Sequence, residues 1–303
     1  MERAARFIEA MLPLDAVRAM GLSRAVGTFA VAMRDQVDLR VEAKNLDTFR
    51  NNFSVGTDKI KKVGLVEGDE TEVKFPQPVK GWVDERVLVQ SLEDDAVHIS
   101  AYVADNTPEG LQRRAEIAGL LLTSFLKMVF TDNFVHCDLH PGNILVRENL
   151  DGGGNRTIII LDAGLVTSLS PLDRRDLVDL FQAVVLNNGA LAGRLMVERA
   201  RYEKCSTVPG CTESFSAGVQ ALVQDFHNSR REDGLTLGAV QIGSLLRRML
   251  DLCRAHGVEI NPSMANIVVS TLVLEGLGRS LDSELNLIEC AIPFILGSVG
   301  KSI

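Results

Sequence analysis

The chain has 303 residues, a formal net charge of −8, and 46% hydrophobic and 24% charged residues. That length allows one large domain or two of ordinary size, able to bury roughly 75% of the unfolded surface without a disulfide or metal staple. The composition excludes a collagen-like or wholly disordered chain. The acidic balance, with a pI near 5.3, argues against a broad electrostatic grip on nucleic acid or on an anionic bilayer. It leaves room for an anionic nucleotide, which needs only local cations or a metal.

Five cysteines, Cys137, Cys205, Cys211, Cys253 and Cys290, are scattered and odd in number. They suit a reducing compartment better than a secreted disulfide framework, and read as loop and core thiols. No uncharged apolar run approaches ~18 residues, so no spanning helix is expected. The apolar segment 291–299 is short and contains Pro293. The start, MERAARFIEAML, has no long apolar stretch, and its acids make it a weak mitochondrial presequence.

Residues 3–34 carry a helical pattern broken near Pro13, with Leu22, Val26, Phe29 and Met33 as a buried stripe. A further helix is expected from about Asp35 to Phe49, with Leu39, Ala43 and Leu46 on one face. A polar stretch with turn signals, 51–72, follows. In VKFPQPV (73–79) two prolines allow at most an edge strand. RVLVQ (86–90) reads as a short buried strand, and the acidic SLEDD after it as a connector. Beyond Pro108 the helical period returns and holds to about Phe130. NFVHCD and NILVRE are short β-rich runs. The latter and TIIILDAG flank a glycine turn (151–154) and read as a hairpin. From Ser170 onward the pattern is helical, apart from a loop near Cys205–Cys211.

The chemistry concentrates in FVHCDLHPGNILV (134–146) and IIILDAG (158–164). Asp138 and Asn143 are separated by a turn that Pro141 and Gly142 force, and the hairpin returns Asp162 beside the start of its first strand. Three oxygen-bearing side chains thus converge. Phosphoryl transfer requires such a set: an acid to orient or deprotonate a hydroxyl, and two oxygen ligands for Mg²⁺ bridging the phosphates. Gly164 lets the chain turn away after Asp162. Any one of these residues alone reads as a turn cap or strand end; the ordered set favours a phosphotransferase. A rival reading places Zn²⁺ on His136, Asp138 and His140, which alternate along an extended segment. It leaves Asn143 and Asp162 without roles, and His136 is better read as a packed histidine supporting the turn. Cys205, Cys211 and His227 match no zinc spacing.

HCDLHPGNIL followed by LDAG resembles the catalytic and metal loops of the aarF-domain atypical kinases, the UbiB/ADCK (ABC1) group. VDLRVEAKNLDTFRNNF (37–53) is similar to that group's glutamate-bearing helix, EGLGRSLD (275–282) to its helical C-terminal signature, and VKFPQPV with RVLVQSLE to the strands leading to its hinge. The resemblance covers nearly the whole chain from about residue 35. It implies an α+β, protein-kinase-like fold, with an incomplete, truncated N-lobe over 1–93 and a mostly helical C-lobe over 94–303. It further implies Asp138 as the catalytic aspartate, Asn143 and Asp162 as metal ligands and Glu42 as the helix glutamate. Gln90, Ser91, Leu92 and Glu93 would form the hinge that holds adenine. ATP and Mg²⁺ are the implied cofactors, and an atypical kinase or ATPase linked to coenzyme Q biosynthesis or lipid metabolism the implied function. A nucleotide and lipid or coenzyme Q pathway proteins are the implied partners, with no nucleic acid. A mitochondrial location follows from the family only; otherwise the reading is cytoplasmic.

Departures from the family pattern are specific. Gln36 stands where the group often has glutamate, and no lysine precedes Lys44, although the family's nucleotide-binding lysine lies before the glutamate helix. GSVGKS (297–302) is not a P-loop, because Ile295 replaces the first required glycine. A truncated product of a longer kinase is favoured by the intact Glu42, Asp138, Asn143 and Asp162. A catalytically impaired, pseudokinase-like scaffold is favoured by the missing lysine. An aminoglycoside- or choline-kinase-type phosphotransferase has a similar catalytic loop, but EAKNLDTFRNNF and EGLGRSLD argue against it.

Overall fold

The computed structural model describes residues 38–54, 72–148, 156–232, 242–285, 290–291 and 293–294. The expected helix over 3–34, the glycine turn 151–154 and the GSVGKS segment lie outside them. The described residues fall into two compact units, one of 38–168 with those from 269 onward, the other of 169–268.

The first unit opens with α1, Leu39–Ser54, whose buried stripe is Ala43, Leu46, Phe49 and Phe53. Asp38 precedes the helix and holds Arg40 through its backbone N–H and its guanidinium. The helix thus runs further toward the C-terminus than the periodicity suggested, because Phe49 and Phe53 continue the stripe by one more turn. Next come β1 (Glu72–Lys74), β2 (Pro78–Asp84), β3 (Val87–Gln90) and β4 (Ala96–His98). A short helix, α2 (Ser100–Val103), leads to α3, Pro108–Leu126. Pro108 starts α3 where its missing N–H costs nothing, and the Thr107 hydroxyl caps Gly110 N–H at 3.0 Å. The helix then widens into a π-helical turn, Lys127–Asp132, which ends on Asn133 in the left-handed conformation (φ 51°).

The main sheet has the order β1-β7-β6-β4, with β6 Ile144–Glu148 and β7 Arg156–Ile160. β6 and β7 form the expected antiparallel hairpin, with Ile144 opposite Ile160. β7 is buried on both faces, from Thr157 to Ile160. β1 pairs parallel to β7 at the sheet edge, where the two prolines that follow it withdraw no ladder donor. A second pair, β5 (Val135–His136) with β8 (Val166–Thr167), brackets the loops that hold Asp138, Asn143 and Asp162. The β2–β3 hairpin corrects one expectation: RVLVQ is a strand but not a buried one. Val87 and Val89 are 52% and 39% exposed, and Trp82 on β2 is 65% exposed. An apolar run of three residues cannot by itself say which side of a two-stranded ribbon is covered.

An aromatic cluster fixes α1 to the rest of this unit. Phe49 stacks on Phe75 at 4.7 Å and 7°, and packs against Phe134 at 4.7 Å and His136 at 5.8 Å.

The second unit is helical, as the sequence implied: α4 (Pro171–Val185), α5 (Gly189–Arg199), α6 (Cys211–Glu232) and α7 (Ile242–His256). The last long helix, α8 (Pro262–Leu281), has its remainder from Val269 in the first unit. Ser170 and Asn188 cap α4 and α5. Phe215, Val219, Val223, Ala192, Val197, Cys253 and Val258 form the core. α5 and α6 approach closely because a Cβ on Gly189 or Gly193 would come within 2.6 Å of the α6 backbone at Gln220 and Ser216. The expectation of free thiols at 205 and 211 is also corrected. A 3₁₀ turn at Cys205–Thr207 and Gly210 at φ 76° bring the two Cα atoms to 4.8 Å, and the sulfurs form a disulfide. His227 donates to or accepts nothing from these sulfurs; its Nε2 bonds to the Val184 carbonyl at 2.8 Å.

Candidate active site

The site lies in the first unit, and its framework is built by His136 at the end of β5. This ring is fully buried. Its Nδ1 accepts the Asp138 N–H at 3.1 Å, so the neutral ring carries its proton on Nε2, which donates to the Asp162 carbonyl. One imidazole thereby ties the loop of Asp138 to the loop of Asp162. Burial lowers its pKa, against the opposing influence of the Asp162 carbonyl and the nearby aspartates, and the ring stays neutral. This is the supporting role the sequence suggested for His136. It removes His136 from a metal triad, since both nitrogens are engaged. Among the described residues, no group of three or more His, Cys, Asp or Glu side chains could hold a metal.

After Asp138 the chain runs extended to His140, then makes a 3₁₀ turn over Pro141–Asn143. The turn aims Asn143 back at the loop, where its Nδ2 donates to the Asp138 carbonyl at 3.1 Å. The Asn143 carbonyl accepts Leu161 N–H at 2.9 Å, one residue before Asp162. Asp138, Asn143 and Asp162 therefore share one hydrogen-bonded frame, and their loops are adjacent because Ile144 and Ile160 are paired. At Asp162 the chain turns away at once, with Gly164 N–H donating to its Oδ1 at 2.7 Å.

α1 docks on the same loop. Asn45 Nδ2 donates to the Ala163 carbonyl at 2.8 Å. Glu42, one turn earlier on the same face, is half-buried and lies near the Ala163 amide and the Asp162 carboxylate. Burial raises its carboxyl pKa, the Asp162 charge raises it further, and the Ala163 amide works the other way. The sequence marked Glu42 but not Asn45. The available signal was the spacing, since residues three apart on a helix face neighbouring positions.

The segment from Gln90 to Glu93 is held at both ends. Ser91 N–H bonds to the Gln77 carbonyl at 2.9 Å, and Gln77 N–H to the Ser91 hydroxyl at 2.9 Å. Glu93 pairs with Arg147 of β6 at 2.9 Å. Between them Leu92 is 82% exposed, while the Gln90 Oε1 is buried without a hydrogen-bond partner.

The residues present fit Mg²⁺. Asn143 and Asp162 offer hard oxygen donors, which suit that ion better than a soft one. The like-charged approach of Glu42 and Asp162 is the kind of field a cation relieves.

Comparison with known proteins finds similarity along nearly the whole chain. Residues 1–194 match the ABC1 atypical kinase-like domain and residues 232–286 the UbiB helical domain. The chain is 28% identical, over 92% of its length, to the probable serine/threonine-protein kinase abkC of Dictyostelium discoideum, covering 46% of that protein. It is 29% identical, over 91% of its length, to the mitochondrial ABC1 family protein YPL109C of Saccharomyces cerevisiae, covering 45% of it. It is 26% identical over its whole length to the probable protein kinase UbiB of Aliivibrio fischeri, covering 50% of it. The chain thus spans about half the length of the curated relatives it matches. Among solved structures, the Rv3197–erythromycin complex from Mycobacterium tuberculosis overlays with a TM-score of 0.48 at 16% identity, covering 85% of this chain and 57% of that one. The chain belongs to the ABC1 atypical kinase-like family and has its α+β, kinase-like fold.

Proposed function

We propose that this chain carries the catalytic core of an ATP- and Mg²⁺-dependent atypical kinase or ATPase, with residues 1–93 contributing an N-lobe and 94–303 a C-lobe. The observation that supports this most is the His136 bridge, which holds the backbones of Asp138 and Asp162 in one frame. Asp138 is the carboxylate base that orients a hydroxyl or water and takes its proton. Asn143 and Asp162 would hold Mg²⁺, which when bound neutralises charge on the phosphate oxygens. Glu42 and Asn45 fix the metal loop from α1. Gln90, Ser91, Leu92 and Glu93 border the adenine, and the orphaned Gln90 Oε1 is an acceptor suited to an exocyclic amine.

Membership of a family whose relatives include UbiB and mitochondrial ABC1 proteins supports a role in coenzyme Q or lipid metabolism, and a mitochondrial location. Lipid or coenzyme Q pathway proteins are the proposed partners. Among the described residues no helix is long and apolar enough to cross a membrane. The test is ATP turnover with and without Mg²⁺ by this chain and by Asp138→Asn. Turnover that falls at least about 100-fold in the variant supports the reading; equal turnover in both refutes Asp138 as the catalytic base.

A second reading, a catalytically impaired scaffold, is favoured by the neighbours of Glu42. Its carboxylate lies within the field of the Asp162 charge, where the family's nucleotide-binding lysine would be its partner. Absence of any Mg²⁺-dependent nucleotide binding is the outcome that selects it.

A further inference from the structure

We infer that His140 is a positioning residue that sets the orientation of the Asp138 carboxylate; this rests on the kinase-like reading above and assigns a role that reading left open.

The backbone of Asp138 is held from two sides, its N–H by His136 and its carbonyl by Asn143. Only its side-chain torsions remain to be fixed. Of the cationic or imidazole side chains among the described residues, His140 alone comes within ion-pair range of that carboxylate, its Nε2 lying 3.9 Å from Oδ2. The ring is not free to choose its orientation. Its Nδ1 accepts the Gly142 N–H at 3.0 Å, and the His140 carbonyl accepts the Asn143 N–H at 3.0 Å. With Nδ1 committed as an acceptor, the neutral ring carries its proton on Nε2, the nitrogen that faces Asp138. Gly142 is required for this seating, because a Cβ there would lie 2.7 Å from His140 Cε1. Pro141 contributes by keeping His140 extended (φ −84°, ψ 158°).

The 3.9 Å gap is longer than a hydrogen bond. Both side chains are partly solvated, at 47% and 43% exposure, and catalytic bonds of this kind tighten when substrate excludes water. In the closed site His140 Nε2–H donates to Asp138 Oδ2, which leaves Oδ1 to face the acceptor hydroxyl. The same ring caps the turn that carries Asn143. His140 therefore couples the acid to the metal-binding asparagine without touching substrate.

The two halves of the ring can be separated by substitution. His140→Asn places an oxygen where Nδ1 caps Gly142 but cannot reach Asp138. His140→Gln places a donor where Nε2 lies but gives up the cap. The measurements are steady-state ATP turnover and calorimetric binding of Mg·ADP for the full chain and both variants. The expected result for His140→Asn is Mg·ADP affinity and KM for ATP within about twofold of the parent, with kcat lower by about 10- to 100-fold. His140→Gln should retain more kcat than His140→Ala. Unchanged kcat in His140→Asn overturns the inference and leaves the ring as a cap only. Equal loss of affinity and kcat in that variant overturns it as well, because the turn itself has then failed. A parent chain that binds Mg·ADP yet turns over no ATP overturns the inference alone. A parent that does neither overturns the kinase-like reading, and the inference with it.

Discussion

Asn45 Nδ2 lies 2.8 Å from the carbonyl of Ala163, 118 positions further along the chain. Among the described residues this is the side-chain hydrogen bond that joins α1 to the segment carrying Asp162. Replacing Asn45 with alanine leaves a part-buried carbonyl unmet, a cost of about 1–3 kcal/mol. The thermal midpoint of Asn45→Ala is expected to fall by several degrees, and Mg·ATP affinity should weaken although Asn45 touches no ligand. A variant with unchanged melting and unchanged affinity would show that α1 is not anchored here.

His136 presents a sharper stability test. His136→Phe fills the same volume but leaves the Asp138 N–H and the Asp162 carbonyl unpartnered, at about 1–3 kcal/mol each. The pH dependence follows from the lowered pKa of the buried ring. A histidine favoured in its neutral form when folded contributes stability above its unfolded pKa, near 6.5, and that stability is lost as pH falls through the folded value. Urea midpoints measured at pH 7.5 and 5.5 should therefore drop more in the parent than in His136→Phe. Equal drops in both proteins would remove His136 as a source of acid sensitivity.

Much of this site was legible because a few residues with strong local demands set it. Pro141 and Gly142 force a turn, the β6–β7 pattern demands a hairpin, and together these return Asp162 to Asn143 without any knowledge of the core. The edge position of VKFPQPV was legible for the same reason, since proline removes ladder donors. Long-range pairing was not legible. Asn45 gives no sign in the sequence that its partner is Ala163, and Cys205 and Cys211 needed a 3₁₀ turn and a left-handed glycine to meet. RVLVQ had the composition of a covered strand, yet Val87 and Val89 face outward.

Lys127 was the least expected residue, a lysine in an otherwise apolar helical run. It is buried in the π turn, with Nζ 2.9 Å from the Asn52 carbonyl, 2.6 Å from Asp132 Oδ2 and 4.5 Å from the Phe53 ring centroid. Lys127→Met leaves the Asp132 carboxylate without this cation, and removal of one buried partner costs about 3–5 kcal/mol. Adding Asp132→Asn should restore part of the loss. Denaturant unfolding of the single and double variants reads both effects, and additive losses would rule out the pairing as the cause.

The free thiols should be inert in the folded chain. Burial pushes the Cys253 thiol up to about 12 and raises that of Cys137 as well, while Cys205 and Cys211 are joined. Only thiolate reacts with alkylating agents, so native labelling should stay negligible between pH 7 and 9. It should reach three thiols after unfolding without reductant, matching Cys137, Cys253 and Cys290. Five labelled thiols under those conditions would show that the disulfide is absent, and rapid native labelling would show that Cys137 is more accessible than its surroundings imply.

The central claim is that Asn143 and Asp162 form a working metal site for nucleotide. Isothermal calorimetry of ATP binding with and without Mg²⁺, on this chain and on Asp162→Asn, tests it most directly. Saturable binding that requires Mg²⁺ and disappears in Asp162→Asn is the expected result. Absence of binding at millimolar ATP, or binding that is indifferent to both the metal and the substitution, would contradict it.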